Sequence, residues 1–127
     1  MNRFYSAPTC SPTRASMLTG INSLANGVIR PYANPRTESY GMPLYHKIMP
    51  EFLLEAGYQT ALSGKWHLGM SSDEYLPSSR GFQQTYGHMN GGIDYYDHSF
   101  SGRLDWHRDN IPLVEEGYAC LLYTSPG

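Results

Sequence analysis

Residues 10 to 20, Cys-Ser-Pro-Thr-Arg-Ala-Ser-Met-Leu-Thr-Gly, constrain the fold more than any other stretch. They follow the apolar run Phe4-Tyr5-Ser6-Ala7 and then Pro8-Thr9, so a short strand, a turn and a helix are predicted in that order. Ser11 suits the N-cap, and Pro12 suits the first helical position, where a missing N–H costs nothing. Gly20 is a C-terminal stop. Ala15 and Leu18, three apart, share one buried face. Cys10 then lies just outside the helix N-terminus, where the positive end of the dipole and free N–H groups favour an anion. Arg14 is about one turn further on, so its guanidinium can reach back toward Cys10.

The 127 residues are enough for one small domain. A net charge of −2 gives no basic field for a nucleic acid, so no nucleic-acid partner is expected. Hydrophobic residues make up 40% and charged residues 16%, which argues against disorder. Eleven tyrosines, 13 glycines and 9 prolines suggest short elements, long irregular loops and aromatic surfaces. No apolar run approaches the roughly 18 residues of a membrane span. The two cysteines, Cys10 and Cys120, do not decide the redox compartment. The chain is expected to begin inside a larger protein, because Met1-Asn2-Arg3 leads directly into the first predicted strand.

Residues 21 to 46 carry the breakers Asn26-Gly27, Pro31, Asn34-Pro35, Gly41 and Pro43, and are predicted to be loop, with Arg30 and Arg36 as solvated cations. A helix is predicted over 49 to 57, with Pro50 and Glu51 in its first turn, a stripe of Phe52, Leu53 and Ala56, and Gly57 as the stop. Tyr58 to Ser63 then form a strand, giving half of an α/β unit. Lys65 and His67 alternate along its extension and would face the same side. Residues 70 to 92 are predicted to be loop-rich. Asp109-Asn110 is a predicted turn between Leu104-Asp-Trp-His and Ile111-Pro-Leu-Val. His88, His98, His107, Asp94, Asp97, Asp105 and Asp109 lack zinc-like spacing and are taken as hydrogen-bonding loop residues.

Cys10-x-Pro12-x-Arg14 with Ala15-Ser16 and Leu18-Thr19-Gly20 resembles the first signature of the type I, formylglycine-dependent sulfatases. Gly57-Tyr58-x-Thr60-x-x-x-Gly64-Lys65-Trp66-His67-Leu68-Gly69 resembles their second signature. Arg80-Gly81-Phe82, Asp94-Tyr95-Tyr96 and the 104–119 hairpin with its Gly-Tyr are similar to arylsulfatases of the N-acetylgalactosamine-4-sulfatase type. The resemblance implies an α/β fold: part of an alkaline-phosphatase-like sandwich, with a mixed, mostly parallel sheet, flanking helices and long loops. Signatures at the carboxyl ends of parallel strands fit the usual place of sites in such sheets.

The resemblance also implies the chemistry. Cys10 becomes formylglycine, made by a formylglycine-generating enzyme, and its hydrated form is both the nucleophile and a calcium ligand. Arg14 orients the diol and supports the metal site, Lys65 holds diol and sulfate, and His67 takes the proton from the second hydroxyl. The substrate would be a sulfated small molecule or sulfated sugar. The family's other calcium ligands include an Asp pair before the first signature and an Asp with Asn or Asp much further on; neither is in this chain, nor are the late His and Lys of the leaving-group side. The chain is therefore expected to be an N-terminal-half piece, residues 1–119, that binds calcium poorly, hydrolyses little or no sulfate ester and dissolves poorly alone. Residues 120–127 resemble a translated sequencing-adapter tail, which would leave Cys120 without a function. The compartment stays open, with secreted, periplasmic and lysosomal parents all compatible. A formylglycine phosphonate-monoester hydrolase or phosphodiesterase, and a non-catalytic anion-binding module, are the alternatives. A cysteine phosphatase is disfavoured because its Cys and Arg are spaced more widely.

Overall fold

The computed structural model describes residues 2–3, 5–32 and 41–124. The expectations for Phe4, Asn34-Pro35, Arg36 and residues 125–127 lie outside the described residues.

The helix of the first signature, α1, spans Cys10–Thr19 and ends at Gly20, whose N–H donates to Ser16 O. Its N-cap is Thr9, in extended geometry, so the helix starts ahead of the expected Ser11 cap. Ser11 is buried inside the first turn and serves elsewhere. Residues 5–7 form no strand, which corrects the reading of the run before Cys10. The Ala7 carbonyl accepts from Thr13 Oγ1 at 2.8 Å, so this segment is tied back to α1 rather than paired in a sheet. The segment after α1 is not all loop, since α2 spans Ser23–Asn26 under an Asn22 cap that accepts from Leu24 N–H.

Helix α3 spans Met49–Glu55, with Pro50 and Glu51 in the first turn as expected. The predicted apolar stripe is not its buried face. Phe52 is 55% exposed and Ala56 is exposed, while Pro50 is buried. The helix is held by its N-terminal end: Glu51 accepts from Ile48 N–H, and buried Arg80 donates to His46 O and reaches Glu51. The Lys47 ammonium lies over the Phe52 ring, which explains how that ring tolerates solvent.

Strand β1 spans Ala61–Lys65 and β2 spans Gln84–His88. They pair in parallel, from Ala61 against Gln84 to Lys65 against His88. The crossover carries two short 3-10 turns, Asp73–Tyr75 and Pro77–Arg80. The strand thus begins later than the expected Tyr58, and the stretch expected to be loop-rich contains a whole buried strand. Strands β3 (Ser99–Phe100) and β4 (Arg103–Leu104) form a separate antiparallel pair. Strands β5 (His107–Arg108) and β6 (Ile111–Pro112) extend the main sheet in the order β1-β2-β5-β6. The sheet is mixed, as expected, but only its β1–β2 pairing is parallel among the described residues. The predicted turn holds: Asp109 and Asn110 have φ of 50° and 67°, the positive angles of a tight hairpin.

Strand alternation divides the core. Leu62, Trp66 and Met89 pack with Ala15, Leu18, Val28, Met42, Ile48, Leu68 and Phe82 under α1. Tyr86 packs with Trp106 and Ala119 on the other face, joined by Leu122 and Tyr123 of α4 (Ala119–Thr124). The first cluster fixes α1 against the end of β1, which brings the two signatures together.

Candidate active site

The chain leaving β1 stays bonded to β2 and the residue after it. Trp66 N–H donates to His88 O and His67 N–H to Met89 O, so β2 guides the chain past the strand end. Ser11 Oγ donates to His67 O at 2.8 Å, which fixes α1 to this exit and explains the burial of Ser11. Arg14 donates from Nε to Trp66 O at 2.7 Å and from a terminal nitrogen to Lys65 O. Burial pulls its basicity below the ordinary arginine value, and nearby Cys10 opposes that shift. Its guanidinium is thus anchored to the strand end beside Cys10, rather than bonded to Cys10.

His67 does not continue the strand, because its φ is +56°. The expected simple alternation with Lys65 therefore fails, yet both residues converge at Gly91. Lys65 Nζ donates to Gly91 O at 2.6 Å. A Cβ on Gly91 would stand 2.7 Å from His67 Cε1, so only glycine fits against that ring.

Cys10 Sγ lies 3.1 Å from His67 Nδ1, and His67 Nε2 lies 2.9 Å from Tyr32 O. A carbonyl can only accept, so Nε2 carries the hydrogen and the Nδ1 lone pair faces Cys10. Burial lowers the His67 pKa, and the charges of Lys65 and Arg14 lower it further against the pull of the Tyr32 carbonyl. The ring is accordingly neutral near pH 7, with a base aimed at position 10. The four expected residues, Cys10, Arg14, Lys65 and His67, are thus brought to one place. Sequence reasoning missed Tyr32, which sets the tautomer, and gave Ser11 a capping task; neither carries a local signal for its long-range bond. Gly91 could have been singled out from the Gly91-Gly92 pair.

The resemblance implies calcium here. Calcium takes roughly 6–8 oxygen ligands. Among the described residues no group of three or more His, Cys, Asp or Glu side chains is placed to hold a metal ion. Around Cys10 stand the cations Arg14 and Lys65. The buried carboxylate of Asp105 is spent on Met89 N–H, Asn90 N–H and Asn90 Nδ2. The described residues do not fit a calcium ion. Of the histidines and aspartates expected to be hydrogen-bonding loop residues, His98 Nε2 meets Gly117 O and Asp109 accepts from Thr85 N–H, whereas His88 Nδ1 and His107 Nδ1 have no partner among the described residues.

A helix start carrying Cys10 against a strand end carrying Lys65 and His67 is the arrangement on which the family comparison falls. The family model described as Sulfatase matches residues 1–115, and the chain belongs to the sulfatase family. It is 35% identical to arylsulfatase J of Mus musculus over 77% of this chain and 16% of the relative. It is 49% identical to arylsulfatase G of Rattus norvegicus over 64% of this chain and 15% of the relative. With N-acetylgalactosamine-6-sulfatase of Rattus norvegicus it shares 35% identity over 84% of this chain and 21% of the relative. The chain thus spans about a fifth or less of the length of these curated relatives. Among solved structures, Ps i-CgsB superposes with a TM-score of 0.75 and 25% identity, covering 87% of this chain and 28% of that one. The PsFucS1 sulfatase from Pseudoalteromonas sp. gives a TM-score of 0.55 and 32% identity over 74% of this chain and 18% of its own. Both likenesses support the alkaline-phosphatase-like α/β fold.

Proposed function

We propose that this chain carries the nucleophile side of a sulfate-ester hydrolase site, with Cys10 as the residue converted to formylglycine by a formylglycine-generating enzyme. The observation that supports this most is the 3.1 Å approach of Cys10 Sγ to a neutral His67 Nδ1. A formylglycine at position 10 supplies a hydrated aldehyde, with one oxygen to attack sulfur and a second hydroxyl able to lose its proton. His67 Nδ1 is positioned to take that proton, because Tyr32 O keeps its lone pair turned toward position 10. Lys65 gives one of its three N–H donors to Gly91 O and has two left for a sulfuryl oxygen. Arg14, fixed by two carbonyls, adds a second cation against the charge that develops there. The substrate class is a sulfated small molecule or sulfated sugar, in keeping with the names of the relatives. In this reading residues 1–119 form the sulfatase domain and 120–127 an appended tail, although Leu122 and Tyr123 pack on the second core, and exposed Cys120 takes no part.

Co-expression with a formylglycine-generating enzyme followed by trypsin tests this reading. The Phe4–Arg14 peptide is expected to lose about 18 Da, the change from thiol to aldehyde. A peptide that keeps its thiol, in a host shown to convert a control substrate, would overturn it and favour an anion-binding module.

A further inference from the structure

Strand β2 ends at His88, and the chain beyond it is held by a side chain instead of a strand. The antiparallel register sets Tyr86 against Arg108 and Gly87 against His107. Carried two residues further, it brings Asp105 level with Met89. There the buried Asp105 carboxylate accepts from Met89 N–H at 3.2 Å, from Asn90 N–H at 2.9 Å and from Asn90 Nδ2 at 2.9 Å. Three donors on two carboxylate oxygens take up the N–H groups that the end of the ladder leaves over. Asp105 is itself fixed, because its N–H donates to His98 O and fully buried Trp106 follows it.

The carbonyls of the same segment meet the candidate centre. Met89 O accepts from His67 N–H at 3.0 Å, and Gly91 O accepts from Lys65 Nζ at 2.6 Å. The Gly91 backbone also abuts the His67 ring, where a Cβ would stand 2.7 Å from Cε1. A lysine ammonium rides on a flexible stem, so it stands where its acceptor stands. Segment 89–91 thus takes its place from Asp105 through its N–H groups and passes that place to Lys65 and His67 through its carbonyls. All of these atoms lie within the residues matched by the family model, and Asp105 touches none of the reacting groups.

We propose that Asp105 is a positioning residue of the candidate centre, setting through segment 89–91 where the Lys65 ammonium and the His67 ring stand. This rests on the reading of Lys65 and His67 as sulfatase site residues. Asp105→Asn keeps the volume but turns one acceptor into a donor, so whichever way the amide faces, one main-chain N–H of the segment loses its acceptor. NMR of the full chain near neutral pH reads the result at two atoms, the Lys65 ammonium and the His67 backbone amide. Lys47 is the only other lysine, so the ammonium is readily assigned. The parent is expected to show a Lys65 ammonium signal protected from solvent exchange by Gly91 O. In Asp105→Asn that signal should be lost to exchange, and the His67 amide proton should shift upfield as its bond to Met89 O lengthens. Asp109→Ala is the control: it removes the acceptor of Thr85 N–H at the other end of β2, and should lower stability while leaving both signals in place. Asn90→Ala removes only the Asn90 Nδ2 bond, should move both signals the same way by less, and decides the matter if Asp105→Asn does not fold. Parent-like signals in the deciding variant, or equal changes in Asp109→Ala, would overturn the proposal. The Cys10 mass shift is read separately. A chain that keeps its thiol yet shows the Lys65 response would sink the sulfatase reading alone, and conversion without that response would sink the positioning role alone.

Discussion

Gly87→Ala is expected to cost about 3–5 kcal/mol and to leave much of the protein unfolded at room temperature. Gly87 sits in β2, next to its last residue, with φ of +143°, a backbone state that side chains rarely adopt. A Cβ there would meet Gly64 O at 2.1 Å and Gly64 C at 2.7 Å. Those atoms are backbone of the paired strand β1, so no side chain can swing away. Relief requires separating β1 from β2, and that pairing carries Lys65 to the site. Gly92→Ala is the control, because a Cβ there meets nothing within 4 Å, and its effect should stay within about 0.5 kcal/mol. Urea unfolding followed by tryptophan fluorescence reads both variants. Equal midpoints for Gly87→Ala and the parent would refute the packing described for the β1–β2 pair.

A second large effect is loss of stability in mild acid. His88 is buried against the second core, and burial is the main cause that pushes its pKa down to about 4. Lys65 and Arg14 push in the same direction, while Asp105 and a hydrogen bond to the Asn90 backbone oppose them. Among the described residues its Nδ1 has no hydrogen-bond partner. His67 and His107 are lowered too, each chiefly by burial. The unfolded chain, with histidines near pKa 6.5, therefore binds more protons than the folded one once the pH drops below that value. Stability contributed by neutral His88 is fully present above pH 6.5 and fades as the pH falls toward the folded value of about 4. Between about pH 7 and pH 5 the loss from this residue amounts to about 2 kcal/mol, before most carboxylates begin to protonate. Denaturation midpoints across that window should fall, and His88→Gln should flatten the decline by about that amount. A parent protein equally stable at both ends of the window would contradict the burial of these rings as neutral groups.

The two signatures were legible because each is local. Cys10, Arg14, Lys65 and His67 could be named from spacing and resemblance, and the fold brings them together. Elements with local punctuation were legible as well, such as the stop at Gly20 and the Asp109-Asn110 hairpin. What escaped depends on distant partners. Strand β2 reads as loop because Gln84-Thr85-Tyr86-Gly87-His88 is polar and carries a glycine. That glycine is there because the Gly64 carbonyl fills the space of a Cβ. Ser11 reads as a cap because its bond to His67 O spans 56 residues of sequence. The α3 stripe was misread because Arg80 and Glu51 secure the helix by its end, leaving Phe52 to the solvent side. His67 leaves the strand geometry that alternation assumes, and its φ of +56° is set by bonds at both ring nitrogens and at its backbone.

The central claim is that position 10 faces the free lone pair of a neutral imidazole. Heteronuclear NMR of the His67 ring nitrogens near neutral pH tests it most directly. The expected spectrum shows one protonated and one bare nitrogen. The hydrogen should sit on Nε2 toward Tyr32 O, and the Nδ1 resonance alone should move in Cys10→Ala. A hydrogen on Nδ1, or a doubly protonated ring at that pH, would contradict the site as described.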